Sequence, residues 1–225
     1  MATKKNQVRK DIEVPDHEAI RDTAQRHIEK EFSRITRPDD RLKRAAEVVQ
    51  QADLEIVAHV GERNEAAMSL WFYEGVRGLD KVLGVTGNAY TEMRRLALHG
   101  ADAAEPVDGT EKAPEEWAPL TKVRRRAQLS GPGETRMTPE QRRHAAEQAG
   151  IPKIDGAAEV LPRLSEIVSA ATARRKAALP FLQDAVLVLS EAPYEWTTDR
   201  IAEFGDVTAR YARDAKNTAK RRRGH

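Results

Sequence analysis

Apolar side chains recur every three or four residues over two long stretches of this chain, and that spacing limits its fold more than any other feature. The stretches lie at residues 40–60 and 157–178. The apolar positions of the first are Leu42, Ala45, Ala46, Val49, Ala52, Ile56, Val57 and Val60. This period places side chains on one face of an α-helix. The sequence therefore predicts two long amphipathic helices that each bury one face.

The composition favours an all-α fold in a reducing compartment. The chain of 225 residues is rich in alanine and only 5% aromatic, which disfavours a β-sandwich or barrel. It has no cysteine, which excludes disulfides, thiolate metal sites and cysteine nucleophiles. No apolar run approaches the roughly 20 residues that cross a bilayer, and none follows the basic N-terminus. We therefore expect a cytoplasmic protein with no membrane association and no secretory signal.

Breaks in the apolar pattern divide the chain into segments. We expect a flexible basic N-terminus at 1–11, a helical domain at 12–100, a linker at 101–137, a second helical domain at 138–215 and a basic tail at 216–225. The predicted linker contains four prolines and no sustained period. At its end, Thr138 and Gln141 flank a proline in a pattern that is typical of a helix-starting capping box.

The second half of the sequence repeats features of the first. The tripeptide Glu-Ile-Val at 55–57 recurs at 166–168, an offset of 111 residues, and Arg63 recurs as Arg174 at the same offset. Either an internal duplication or chance matches among abundant residues explains these echoes. Both halves are predicted to contain a long helix followed by a short helix, a turn and another helix.

Residues 76–95 form the first functional motif. Apolar side chains stand where two packed helices need them, at Leu79, Leu83, Val85, Tyr90 and Met93. Gly84 stands at the turn between them. The stretch resembles the helix-turn-helix of bacterial DNA-binding regulators, in which the turn often contains glycine. Asp80 departs from the family pattern, which usually has a small residue there. The resemblance implies a helix-turn-helix over residues 76–98.

Residues 201–215 resemble the same motif. Ala202 stands at the small-residue position, and Val207 lies in the turn. Gly205 and Asp206 depart from the family pattern, although aspartate tolerates the left-handed backbone conformation better than most residues. The resemblance implies a second helix-turn-helix over residues 197–215, and it identifies no particular family of regulators.

In such motifs the second helix is the recognition helix, whose N-terminal side chains contact bases in the major groove. The resemblance therefore implies two sets of DNA-binding residues. They are Thr86, Gly87, Asn88, Thr91, Arg94 and Arg95 in the first motif and Thr208, Ala209, Arg210 and Arg213 in the second. Asparagine can pair with adenine and arginine with guanine, each for about 1–3 kcal/mol of discrimination. The two threonines that open these sets are also expected to cap their helices. Tyr90 and Tyr211 are expected to belong to the core.

The formal net charge of +2 hides an uneven distribution. Residues 1–100 are balanced, residues 101–120 have a net charge of −5, and residues 121–225 have a net charge of +7. The C-terminal run consists of Lys220, Arg221, Arg222 and Arg223. It is predicted to contact the phosphate backbone without sequence preference, and the alternative is a disordered solubilising tail. The run Arg124, Arg125 and Arg126 either contacts DNA or pairs with the acidic residues before it.

Motifs for catalysis are missing from the sequence. It has no phosphate-binding loop, no dinucleotide fingerprint and no nucleophile elbow. His27 and Glu31 have the spacing of metal ligands on a helix, but two groups do not make a metal site. We therefore expect no enzymatic activity, no cofactor and no metal.

Together these features predict a sequence-specific double-stranded DNA-binding protein, associated with the nucleoid, that acts as a transcriptional regulator. One alternative is a DNA-recognition subunit of a phage packaging or plasmid partition system. Another is a helical scaffold protein with no DNA role. The long helices at 40–60 and 157–178 are candidates for a homodimer interface.

Overall fold

A computed structural model describes residues 8–99 and 137–224 of the chain. Within these ranges the chain forms eight α-helices and no strand, which confirms the predicted all-α fold. In order they are α1 (His17–Phe32), α2 (Pro38–Phe72), α3 (Leu79–Leu83), α4 (Gly87–His99), α5 (Pro139–Gln148), α6 (Ala157–Leu189), α7 (Thr198–Phe204) and α8 (Ala209–Arg223). The predicted linker, including Arg124, Arg125 and Arg126, lies outside the described residues except for its last position.

The helices begin where the local sequence signals predict. Asp16 caps α1 by accepting a hydrogen bond from the backbone N–H of Ala19 at 2.9 Å. Thr138 and Gln141 form the predicted capping box at the start of α5. Thr197 caps α7 by accepting from a backbone N–H one turn later. Each cap satisfies donors that have no partner inside the helix.

The two long helices continue through a glycine and a proline, which are residue types that commonly interrupt helices. α2 runs through Gly61, and α6 runs through Pro180. Inside a helix, glycine costs about 1 kcal/mol and proline about 3 kcal/mol relative to alanine. Burial of apolar side chains on both sides of each position outweighs these penalties. The fully buried flanking residues are Ala52, Ala66, Ala178 and Leu182.

The chain packs into two compact units, and each unit takes residues from both halves of the sequence. Unit A comprises Met1–Pro15 and Gly61–Ser165, and unit B comprises Asp16–Val60 and Glu166–His225. The division therefore falls inside α2 and inside α6. Neither unit coincides with the predicted domains 12–100 and 138–215, because the two ends of each long helix pack into different cores.

The core of unit A joins the end of α2 to the start of α6. Leu70 of α2 is fully buried with Leu79 of α3 and Leu161 of α6. The hydroxyl of Tyr73 donates to the carbonyl oxygen of Ile151 at 2.7 Å, which fixes the loop before α6. The end of one long helix and the start of the other are thus held together by apolar packing and a hydrogen bond.

The N-terminal segment also packs on unit A from residue 8 onward. Arg9 forms an ion pair with Glu74 at 2.5 Å. Ile12 is 4% exposed and belongs to the same apolar core. The last residues of the predicted flexible N-terminus are therefore attached to this unit.

The core of unit B joins the start of α2 to the end of α6. Leu42 of α2 is buried with Leu182 and Leu189 of α6. Phe32 of α1 stacks on Phe181 with the ring centres 4.7 Å apart. Each unit thus contains the start of one long helix and the short helix that precedes it in the chain. It also contains the end of the other long helix and one helix-turn-helix stretch.

Candidate nucleic-acid interface

Both predicted helix-turn-helix stretches form two helices joined by a short turn. Residues 84–86 separate α3 from α4 in unit A, and residues 205–208 separate α7 from α8 in unit B. Gly84 ends α3 in the left-handed conformation, with a φ of 66°. Asp206 adopts a φ of 48° in the second turn. The structure therefore confirms that aspartate occupies the left-handed position of that turn.

A steric constraint explains the glycine at 205, where the motif usually has an apolar residue. A Cβ at Gly205 would lie 3.1 Å from the carbonyl oxygen of Ile201 and 3.4 Å from the side chain of Leu42. The first distance is short for a Cβ, and the second is an ordinary van der Waals contact. A side chain at 205 would therefore press mainly on the backbone of α7.

The α8 helix of unit B has two opposite faces of different character. Its buried residues are Ala212, Ala215 and Ala219. The exposed residues on the other side are Arg210, Arg213, Asp214, Asn217 and Arg221, so three arginines and one aspartate share this face. Their spacing of three and four residues places them on one helical face. The small buried side chains let α8 lie close to the unit, and the outward face carries positive charge.

The first turn of α8 is ordered by capping and packing. The hydroxyl of Thr208 accepts a hydrogen bond from the backbone N–H of Tyr211 at 3.1 Å, as predicted. Burial raises the pKa of the Tyr211 hydroxyl, and the ring packs against the core as expected. Ala209 packs there too. Arg210 and Arg213 are exposed, and neither forms an ion pair with any residue that the structure describes.

The C-terminal basic run belongs to α8 and is not a separate tail. Arg222 pairs with Asp184 of α6 at 2.7 Å, and Arg223 lies 3.4 Å from the same carboxylate. Lys220 and Arg221 form no ion pair within the described ranges. Two of the four cations are therefore held against α6, and two are available to another molecule.

The α4 helix of unit A has no comparable basic face. The exposed residues at its N-terminus are uncharged, namely Thr86 just before the helix and Gly87, Asn88, Ala89 and Thr91 within it. The hydroxyl of Thr86 accepts a hydrogen bond from the backbone N–H of Ala89 at 3.2 Å, which is the predicted cap. The hydroxyl of Thr91 donates to the carbonyl oxygen of Gly87 at 2.9 Å. Asn88 is thus the exposed amide on the first turn of α4.

Two arginines that were predicted to contact DNA are instead buried in unit A. Arg94 and Arg95 are 5% and 7% exposed. The guanidinium carbon of Arg94 lies 4.2 Å from the ring centre of Trp71 and 4.9 Å from that of Tyr90. Arg95 donates two hydrogen bonds to Glu92, at 2.5 and 3.0 Å. The prediction is corrected for both residues, because their side chains pack on the protein. Tyr90 is a core residue, as expected.

The sequence analysis missed an aromatic cluster at α7. The ring of Trp196 lies edge-on to Phe204 at 5.3 Å, and the guanidinium carbon of Arg200 lies 4.1 Å from the Trp196 ring centre. Phe204 is 40% exposed. Arg200 and Phe204 are four residues apart on α7, and this spacing was the available signal for that pair, whereas Trp196 precedes the helix and its contacts could not be predicted from helical spacing. The cluster adds an exposed cation beside the second helix pair.

An open cleft of about 620 Å³ lies beside α4 in unit A. Apolar side chains make up most of its lining, among them Met68, Met93, Leu96 and Ile151. Leu96 is 37% exposed. The cleft offers apolar surface next to the predicted recognition helix of this unit.

The structure shows no metal centre in the ranges it describes. His27 Nε2 lies 4.0 Å from the Glu31 carboxylate, and no group of three potential ligands occurs among those residues. The pair therefore remains two groups on one helix.

Comparison with known proteins identifies no relative. No family model, curated protein or solved structure matches the chain. The described helices include none that is long and apolar enough to cross a membrane. The two helix pairs and the charges on them are therefore the basis for proposing a function.

Proposed function

We propose that the protein binds double-stranded DNA sequence-specifically and that α8 of unit B is its main recognition helix. The observation that carries this proposal is the division of α8 into a buried alanine face and an exposed basic face. Ala212 and Ala215 anchor the helix, while Arg210 and Arg213 project from it. A helix of this kind fits the major groove of B-form DNA, which is about 12 Å wide.

The chemistry of the exposed face suits both bases and phosphates. Arg210 and Arg213 lie in the first two turns of α8, where a recognition helix contacts base edges. A guanidinium group can donate two hydrogen bonds to O6 and N7 of guanine. Lys220 and Arg221 lie farther along the helix and suit the phosphate backbone. Since the first two arginines have no carboxylate partner among the described residues, they can bind DNA without breaking an ion pair.

Unit A contributes a polar contact in this proposal. Asn88 is exposed on the first turn of α4 and can form two hydrogen bonds with adenine. Thr86 and Thr91 are exposed beside it and can approach phosphates. Because Arg94 is buried, α4 adds less electrostatic affinity than α8.

The biological role that we propose is transcriptional regulation. A DNA-recognition subunit of a packaging or partition system would use the same helix pairs. Its DNA complexes would grow into higher-order assemblies, whereas a regulator would form complexes of fixed size at one site. The mass of the protein–DNA complex in solution distinguishes these two roles.

A homodimer through the long helices is part of the proposal. Leu54 and Val57 of α2 are 72% and 75% exposed, although they are apolar residues in the middle of a helix. A second copy of the chain could cover them. Replacing both residues with serine should convert the dimer to a monomer in sedimentation experiments. A wild-type protein that is monomeric at all concentrations would rule out this interface.

A helical scaffold protein is the second candidate function. The apolar cleft of unit A favours it, because Met93 and Leu96 offer contact area for a helix of a partner protein. This function predicts that the purified protein retains no DNA above background.

The experiment that tests the proposal is genomic DNA capture with the purified protein, followed by salt-titrated binding to the enriched site. Arg210→Ala should weaken binding and relax the preference at one base pair, by about 1–3 kcal/mol. Arg21→Ala is the matched control, because Arg21 is an exposed arginine on α1 of the same unit. Absence of enrichment, or equal effects of the two substitutions, would overturn the proposal.

A further inference from the structure

Unit A contains a group of three arginines beside its helix-turn-helix pair that the predicted DNA contacts do not include. Arg77 precedes α3 by two residues, and Arg142 and Arg143 belong to α5. Arg77 and Arg143 are exposed, while Arg142 is half-buried. We call this group the arginine cluster.

The backbone and the aromatic core hold Arg142 in place. Its guanidinium carbon lies 5.4 Å from the ring centre of Trp71. Its Nη2 atom lies 2.9 Å from where a Cβ would stand on Gly75, a residue with a φ of 70°. A side chain at 75 would displace the flexible end of Arg142, and the positive φ would strain it. Glycine at 75 therefore lets the loop before α3 adopt this conformation beside Arg142.

The arginine cluster forms no ion pair with a carboxylate in the part of the chain that the structure describes. Its electrostatic neighbours include Glu140, whose pKa is lowered by hydrogen bonds at the start of α5 and, to a smaller degree, by the charge of Arg143. Burial lowers the pKa of Arg142, and the charges of Arg77 and Arg143 lower it further. The charges of Arg77 and Arg143 thus act on Arg142, and an anion beside these side chains would offset their repulsion. Arg142 itself lies against the loop that leads to Arg77, which places a candidate anion site there.

Other arginines in the protein form ion pairs of a kind that the arginine cluster lacks in the described structure. Arg175 pairs with Asp53 at 2.6 Å in unit B. Arg9 pairs with Glu74 at 2.5 Å in unit A. The fold thus places carboxylates beside several of its surface arginines. The Nε atom of Arg142 is by contrast buried without a hydrogen-bond partner in the described structure.

We propose that Arg77, Arg142 and Arg143 bind a backbone phosphate of double-stranded DNA. The position of the cluster favours this anion, because the first helix of a helix-turn-helix crosses the DNA backbone and Arg77 directly precedes α3. Arginine also matches the geometry of phosphate better than lysine does. The cluster supplies the exposed cations that α4 lacks. This inference rests on the proposed DNA binding and adds a positioning contact in unit A.

The test measures the salt dependence of binding between the full-length protein and a labelled duplex of mixed sequence. The slope of log affinity against log salt concentration falls by about 0.9 for each phosphate contact that is lost. The double variant Arg77→Gln/Arg143→Gln should therefore show a slope reduced by about 1, because the cluster is proposed to bind one phosphate. Both positions are exposed, so the fold is retained, and circular dichroism checks this.

Two further variants make the result specific. Arg163→Gln removes an exposed arginine elsewhere in unit A and should leave the slope unchanged. Arg210→Ala/Arg213→Ala should reduce binding through unit B. If this second pair weakens binding while the cluster variant keeps the wild-type slope, the phosphate site is overturned and the proposed function stands. An equal fall in slope for Arg163→Gln would also overturn the site. If the wild-type protein binds no duplex, both proposals are overturned.

Discussion

The helix pairs of units A and B share a backbone plan but use arginine in opposite ways. In α4, Arg94 lies over the ring of Trp71 and is 5% exposed. In α8, Arg213 is exposed, and Ala212 and Ala215 fill the buried face. Arginine therefore stabilises the core of one unit and charges the surface of the other. The comparison teaches that motif spacing locates the helices, whereas the helical face determines what each side chain does.

The difference between the units follows from the register of each helix. Arg94 comes four residues after Tyr90, which is buried, so both side chains lie on the same face of α4. Arg213 comes three residues after Arg210, which is exposed. A stem of three methylene groups lets an arginine pack along an aromatic ring and keep its charge.

The largest effect that we predict concerns separating the two halves of the chain. Fragments 1–100 and 137–225 should each fail to fold as monomers, because both unit cores need residues from both fragments. Leu42 from the first fragment packs in the core that contains Leu182 from the second. Mixing the fragments should restore helical circular dichroism and a cooperative unfolding transition. A monomeric fragment 1–100 that unfolds cooperatively by itself would show that the halves are independent domains.

The second prediction compares the effects on stability of replacing Arg94 and Arg213. Arg94→Ala should lower the free energy of unfolding by about 2 kcal/mol, because it removes a desolvated cation–aromatic contact. Arg213→Ala should change that free energy by no more than about 0.5 kcal/mol, since the side chain is exposed. Denaturant titration of both variants measures the difference. Equal changes in stability would contradict the assignment of Arg94 to the core.

A smaller difference in stability is expected between alanine substitutions of two glycines, one in each helix pair. Gly205→Ala should destabilise the protein by about 1 kcal/mol, because its Cβ would press on the carbonyl oxygen of Ile201. Gly87→Ala is the matched control in unit A. It has nothing within 4 Å of a Cβ, and alanine should stabilise the helix by up to about 1 kcal/mol. Thermal unfolding of the two variants provides the measurement. A Gly205→Ala protein as stable as wild type would argue against a steric requirement for glycine at this position.

Much of the local structure could be predicted from the sequence. The capping box at Thr138 and the caps at Thr86 and Thr208 were predicted correctly. These features depend on residues close together in the chain, such as a threonine and the backbone N–H groups that follow it. Local sequence contains that information.

The composition of the two units could not be predicted in the same way. An apolar stripe such as that of α2 shows that a helix is buried, but it does not show which core the helix joins. The start of α2 joins unit B and its end joins unit A. The arginine cluster was missed for a related reason, because Arg77 and Arg142 are distant in sequence and meet only in the folded chain.

The central claim is that α8 of unit B provides the main recognition surface for DNA. The most direct test compares the dissociation constants of two double variants on the captured DNA site. Arg210→Ala/Arg213→Ala should weaken binding by more than about tenfold, since each base contact contributes about 1–3 kcal/mol. Asn88→Ala/Thr91→Ala in unit A should weaken it less. A larger loss for the unit A variant, or wild-type affinity for the α8 variant, would contradict the claim.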